Sequence, residues 1–349
     1  MKYISGQSLG YIATAIILCA AASGLMLLTG KGYDSAIPRN DKGDNTLVYS
    51  TSQEAVRLLE VAAKAGDPNA QFNLAIVYQL GAGVEKSQSL AVYWYQQAAE
   101  QGHLSALNNL GIIYIRALGV EKDPRKAIEY FEKAAAGGHA DAIYALGMVH
   151  HEGIGTVVDP ATARKYLAQA AQKGHVLAAY SLASLIDQGI GGEPDPTTAL
   201  HLYERAAEAG LVPAQYNAAV ILMRNVEDPA SLRRAHEWLE RAAAQNHLSA
   251  QNNLGYMYQN GLGTAKDETR AVELYRRAAT QGHVLAQANL GIAYQRGNGV
   301  EKNTAMAEHW LRKAAEQGLP DAMNALAIVM LEKRDAVHVP TKDGEEKRE

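Results

Sequence analysis

Five histidines of this chain sit on one 36-residue grid: His103, His139, His175, His247 and His283. Imidazole is the commonest metal ligand among side chains, so such a ladder first raises the question of a metal site. Copies of one position on successive packed helices lie about 10 Å apart, whereas a zinc–nitrogen bond spans about 2 Å. Several of these residues therefore cannot share an ion. They read instead as residues at helix ends, near terminal carbonyls and the negative end of the helix dipole. His150, His151 and Glu152 lack the i, i+4 His spacing of a helical zinc protease motif, because the second ligand position on the same face is missing. The Gly-x-Gly pairs Gly81/Gly83, Gly153/Gly155, Gly261/Gly263 and Gly297/Gly299 follow no strand and open no phosphate-binding signature, so they read as helix connectors. One cysteine, Cys19, rules out an intrachain disulfide and any thiolate cluster. No nucleophile, base and orienting acid can be assembled. The sequence thus gives no catalytic residue, no cofactor, no metal and no reason to expect a small-molecule ligand. A net charge of −4 over 349 residues argues equally against nucleic acid.

The grid that carries the histidines is the organising feature. The phrase Ala-Ala-x-x-Gly ends at Gly66, Gly102, Gly138, Gly174 and Gly210, at Asn246 in the same place, and at Gly282 and Gly318. Four residues beyond each of these anchors stands an alanine, from Ala70 and Ala106 through Ala142 to Ala322. A strict period is the mark of an array whose units bury their apolar faces only by stacking on neighbours. Counted from the anchor, Ala at +4, Leu at +8, Gly or Ala at +9 and often Tyr at +12 mark one face of a helix over +2 to +14. A glycine turn follows at +15 and +17. A second helix then opens at Asp-Pro pairs such as Asp123-Pro124 and Asp159-Pro160, an acidic cap with proline in the first turn. The anchor ends that helix in a left-handed cap, where Gly is favoured and Asn is the usual substitute. One unit departs: after Met223 the turn glycines are missing and Asp228-Pro229 comes early, so its second helix should start sooner.

The string AAEQGHLSALNNLG at 98–111, followed by Tyr114 and GVEKD at 119–123, closely resembles the Sel-one-like repeat, a subclass of the tetratricopeptide-like repeats. The resemblance covers about four-fifths of the chain. It implies an all-α fold, a right-handed superhelix or solenoid of antiparallel helix pairs with a 36-residue period, used as an adaptor in protein complexes. Some secreted members staple each repeat with a cysteine pair; this chain has none.

By analogy with tetratricopeptide repeats, positions +3, +6, +10 and +13 of the first helices, away from the Ala/Leu face, line a groove. At +6 the middle units read Tyr144, Tyr180 and Tyr216. They are expected to form a partly open stripe for a protein partner, flanked by Met148, His151 and Met223, because Tyr gives a large rigid contact with a polar tip. The alternative is that this side packs on neighbouring first helices.

The ends are of different material. Residues 9–28, LGYIATAIILCAAASGLMLL, carry no charge and are long enough to span a bilayer. The competing reading is a cleaved signal, with a small-residue site at Ala20 and Ala22. Residues 1–29 are therefore expected to be an anchor or signal, 30–49 a flexible linker, 50–334 the solenoid and 335–349 a charged tail. Order should begin at the capping pattern Thr51-x-x-Glu54. The reading of the whole is a membrane-tethered or exported adaptor in a bacterial cell envelope, anchored in the inner membrane with the solenoid facing the periplasm. A periplasmic or secreted carbohydrate or cell-wall binder, with tyrosines stacked on sugar rings, is the alternative.

Overall fold

The computed structural model describes residues 46–337. Residues 9–28, most of the linker and the tail beyond Val337 lie outside the described residues. Those described form helices and no strand. They divide between Asp195 and Pro196 into two compact units, each described by itself. The first holds α1 (Thr46–Lys64), α2 (Pro68–Leu80), α3 (Gln88–Glu100), α4 (Leu104–Arg116), α5 (Pro124–Ala136), α6 (Ala140–Glu152), α7 (Pro160–Gln172) and α8 (Val176–Asp187). The second holds α9 (Pro196–Glu208), α10 (Val212–Leu222), α11 (Pro229–Ala244), α12 (Leu248–Asn260), α13 (Glu268–Thr280), α14 (Val284–Arg296), α15 (Thr304–Glu316) and α16 (Pro320–Val337). Even-numbered helices are the first helices of the repeats, called A below; odd-numbered ones are the second, called B. Consecutive helices pack on one another throughout each unit, so each is a run of helix pairs in an all-α solenoid.

The local causes are those of the repeat text. Every anchor is left-handed, from φ 62° at Asn246 to φ 97° at Gly66, the cheapest place for Gly and Asn. Asp123, Asp159 and Asp267 cap B helices by accepting the backbone N–H three residues on. The departing unit behaves as its sequence demands: α11 starts at Pro229 under an Asp228 cap and runs 16 residues, while α10 has 11. One expectation needs correction. Helix α1 begins at Thr46 rather than at Thr51, so residues 46–49 are helix and not linker. The run from Thr46 to Ala65 holds neither Gly nor Pro, and nothing in it stops a helix that already has a long propagating segment.

Two glycine positions set how closely elements approach. At +9, a Cβ on Gly147 would lie 2.8 Å from Leu167 and one on Gly255 2.7 Å from Tyr275, so A and B of one pair touch there backbone to side chain. At +17, a Cβ on Gly155 would lie 2.6 Å from Pro124 and one on Gly191 2.6 Å from Pro160. That second contact ties each turn to the start of the preceding B helix. Unforeseen in the sequence is the glutamine at +5. The buried side chains of Gln71, Gln215, Gln251 and Gln287 donate through Nε2 to the carbonyls of Ala63, Ala207, Ala243 and Ala279. Each gives a second hydrogen bond to a terminal carbonyl of the preceding B helix that also accepts the backbone N–H of the anchor residue.

Candidate binding surface

The histidine ladder turns out to be a set of helix N-caps. The Nδ1 atoms of His103, His139, His175, His247 and His283 accept the backbone N–H of Ala106, Ala142, Ala178, Ala250 and Ala286 at 3.0–3.4 Å. Asp67 does the same for Ala70 at 2.7 Å. These residues follow a B helix directly, but they belong to the next A helix, at its positive end. With Nδ1 accepting, the proton sits on Nε2 and points at the previous A helix. There His139 meets Ser105 Oγ at 3.3 Å, His283 meets Ser249 Oγ at 3.3 Å, and His175 meets Asp141 Oδ1 at 3.4 Å. The hydrogen bond from His175 is the main reason why the Asp141 carboxyl is held below its ordinary range.

A protonated imidazole has no lone pair and cannot cap. Burial, before any other cause, pushes His103, His139, His247 and His283 below the ordinary histidine pKa, and the positive helix end works the same way. In the unfolded chain these groups titrate near about 6.5. Above that value both states are neutral and the full stability is present. As pH falls below it, the unfolded chain binds protons that the folded chain refuses, so stability is lost down through the depressed folded values. The chain should therefore unfold at lower urea concentration at about pH 5 than at about pH 7.5. His139→Asp, which copies Asp67, should flatten part of that dependence. Midpoints that do not change with pH would contradict the capping role.

The six residues of the expected stripe do not share one environment. Tyr144 is only 5 % exposed and Met148 1 %, so the reading of these two as open contact residues is corrected: they are core of the first unit. Tyr144 lies flat against His175, ring centroids 4.5 Å apart at 21°. Phe72 does likewise on His103 and Tyr216 on His247. The +6 side of an A helix therefore meets the cap of the following A helix, because A helices stand side by side. The signal was available in the pairing of each of these +6 aromatics with a histidine 31 residues on. Tyr180 and His151 in the first unit, and Tyr216 and Met223 in the second, are half-buried and show part of their surface. Around them lie Ser184 and Asp187 in the first unit, and Asn217, Val220 and Tyr256 in the second, all half-buried. Each unit thus presents a shallow polar and aromatic strip along its A helices. Among the described residues no group of three His, Cys, Asp or Glu could hold a metal.

A family model described as the Sel1 repeat matches residues 52–67, 68–103, 104–139, 140–175, 176–211, 212–247, 248–283 and 284–319. The chain belongs to the Sel1 repeat family. Each full match runs from the first residues of an A helix to the cap of the next, as the helix boundaries require. Among solved structures this Sel1 repeat chain is similar to a Sel1 repeat protein from Oxalobacter formigenes, at 30% identity over 91% of this chain and 90% of that one, with a TM-score of 0.60. It is also similar to a protective antigen of uropathogenic Escherichia coli with an SLR fold, at 25% identity over 90% and 79% of the chains and a TM-score of 0.36. Yeast Tom70 matches at 13% identity over 96% and 67%, with a TM-score of 0.40. No curated protein matches the chain.

Proposed function

We propose that this Sel1 repeat chain is an adaptor whose A-helix strips hold protein partners, and that residues 9–28 tether it in a bacterial cell envelope with the solenoid in the periplasm. The observation that supports the adaptor reading is the row of half-open side chains on the A helices, of which Tyr216 is fixed from behind. Tyr216 is held by the ring of His247, and the His caps are held by Ser105, Asp141 and Ser249. A side chain that is already immobile loses little entropy when a partner covers it. The tether reading rests on the uncharged run 9–28 alone; no helix among the described residues is long and apolar enough to cross a membrane.

The test uses the full chain carrying Tyr180→Ala and Tyr216→Ala together. Both are half-exposed, so the fold should persist by circular dichroism. Loss of a hot-spot aromatic typically costs at least about 2 kcal/mol of binding, about 30-fold. The double variant should recover far less of the partner that the parent chain captures from native envelope membranes. Undiminished capture would refute the strip, and retention of the parent chain on purified, protein-free cell wall would favour carbohydrate binding.

A further inference from the structure

The two ends of the described array carry complementary halves of one repeat. Among the described residues, helix α16 is an A helix with no B helix after it, and α1 is a B helix with no A helix before it. Positions can be compared at 36-residue spacing. In α3, Ala91, Trp94, Tyr95 and Ala98 are all buried beneath their neighbours. In α1 the same positions are Ala55, Leu58, Leu59 and Ala62; Ala55 and Leu58 are exposed, Leu58 at 67 %, and the other two only half-buried. On α14, Gln287 and Gly291 are buried and Tyr294 half-buried. Their equivalents on α16 are Met323, Ala327 and Met330, with Met323 48 % and Met330 49 % exposed. Each end therefore shows the apolar surface that every inner unit covers.

The chain's own flanks cannot supply the missing helices in phase. The A-helix positions +4, +8, +9 and +12 before α1 would be Asp34, Pro38, Arg39 and Lys42, charges and a helix-breaking proline where Ala, Leu, Gly and Tyr are needed. The B-helix positions +25, +28 and +29 after α16 would be Asp343, Glu346 and Lys347, charges where Ala and aromatic residues pack. The two exposed faces do match each other: one is an A face, the other a B face, in the same register. We propose that the occupant of both is a second copy of this chain. Helix α16 of one copy and α1 of the next form the absent A–B pair, so copies join end to end. The contact is heterologous, so further copies can add to either free end, in an open chain or a ring. Because +9 faces +25 inside a complete pair, as Gly255 faces the Ala271 carbonyl, Ala327 of one copy should lie against Ala55 of the other. This inference is independent of which partner the A-helix strips hold.

The experiment uses the full chain in mild detergent, which keeps association through residues 9–28 equal in all samples. Sedimentation over a concentration series should show the wild type growing into dimers and longer species. Leu58→Glu and Met330→Glu each spoil one end at an exposed position and should each weaken self-association at least about tenfold, with helicity unchanged. A mixture of the two variants still holds one good α16 and one good α1, and should give a dimer that grows no further. A second measurement is a disulfide trap: with Cys19→Ser, Ala55→Cys and Ala327→Cys in separate copies should cross-link on mixing, and neither should do so alone in comparable yield. A wild type that stays monomeric, variants that associate as the wild type does, or a mixture that neither pairs nor cross-links would overturn the proposal.

Discussion

Gly155→Ala should unfold at markedly lower urea concentration than the wild type, while Gly102→Ala should lose much less. Both glycines lie in the left-handed region, at φ 73° and 81°, so each alanine meets a similar backbone penalty of about 1–2 kcal/mol. Their surroundings separate them. Nothing lies within 4 Å of where a Cβ on Gly102 would point. At Gly155 the new Cβ would fall 2.6 Å from Pro124 Cβ and 2.9 Å from its carbonyl carbon. Pro124 is the first residue of α5, rigid and capped by Asp123, and it cannot move aside without shifting that helix. Overpacking of this kind adds about 1–3 kcal/mol. Urea midpoints of the two variants, with hydrogen exchange at α5 and α7 to localise the damage in a repeat array, decide the matter. Equal losses would mean that the turn does not dock on the preceding pair.

The second large effect is expected at Ala142. Its side chain is wholly buried, as are those of its counterparts in the other inner units, and its N–H is held by the His139 cap. Ala142→Leu puts three more carbons where two helices meet, at about 1–3 kcal/mol, and pushes the start of α6 off its cap as well. His139→Ala removes only the cap and should cost about 0.5–2 kcal/mol. From sequence position alone His139 looks like a surface residue of negligible cost; its capping bond raises that figure. A thermal midpoint for Ala142→Leu at or above that of His139→Ala would contradict the close helix contact.

What was legible in the sequence follows from where the determining interaction lies. Period, helix boundaries, left-handed anchors and the early start of α11 depend on residues within one unit, and the text of one unit states them. The histidine caps were misplaced by one helix because His is not a usual cap residue. Asp67, an ordinary cap residue in the same place of the first unit, was the clue to their role. Tyr144 and Met148 were assigned to the open side because a single helix shows only which face its own B helix covers. It does not show that the next A helix, one repeat away, covers the opposite face. The glutamines at +5 escaped notice for the same reason: their partners are carbonyls of the preceding B helix, which sequence type does not reveal.

The central claim is that partners are held on the A-helix strips, and site-specific photo-crosslinking tests it most directly. A photoreactive phenylalanine analogue replaces Tyr180 on α8 or Tyr216 on α10 in the full chain, and Tyr93 on the exposed side of α3 serves as the reference. Irradiation in intact envelopes should give a protein adduct from position 180 and from position 216, and little or none from position 93. Adducts confined to position 93, with positions 180 and 216 silent, would contradict the account.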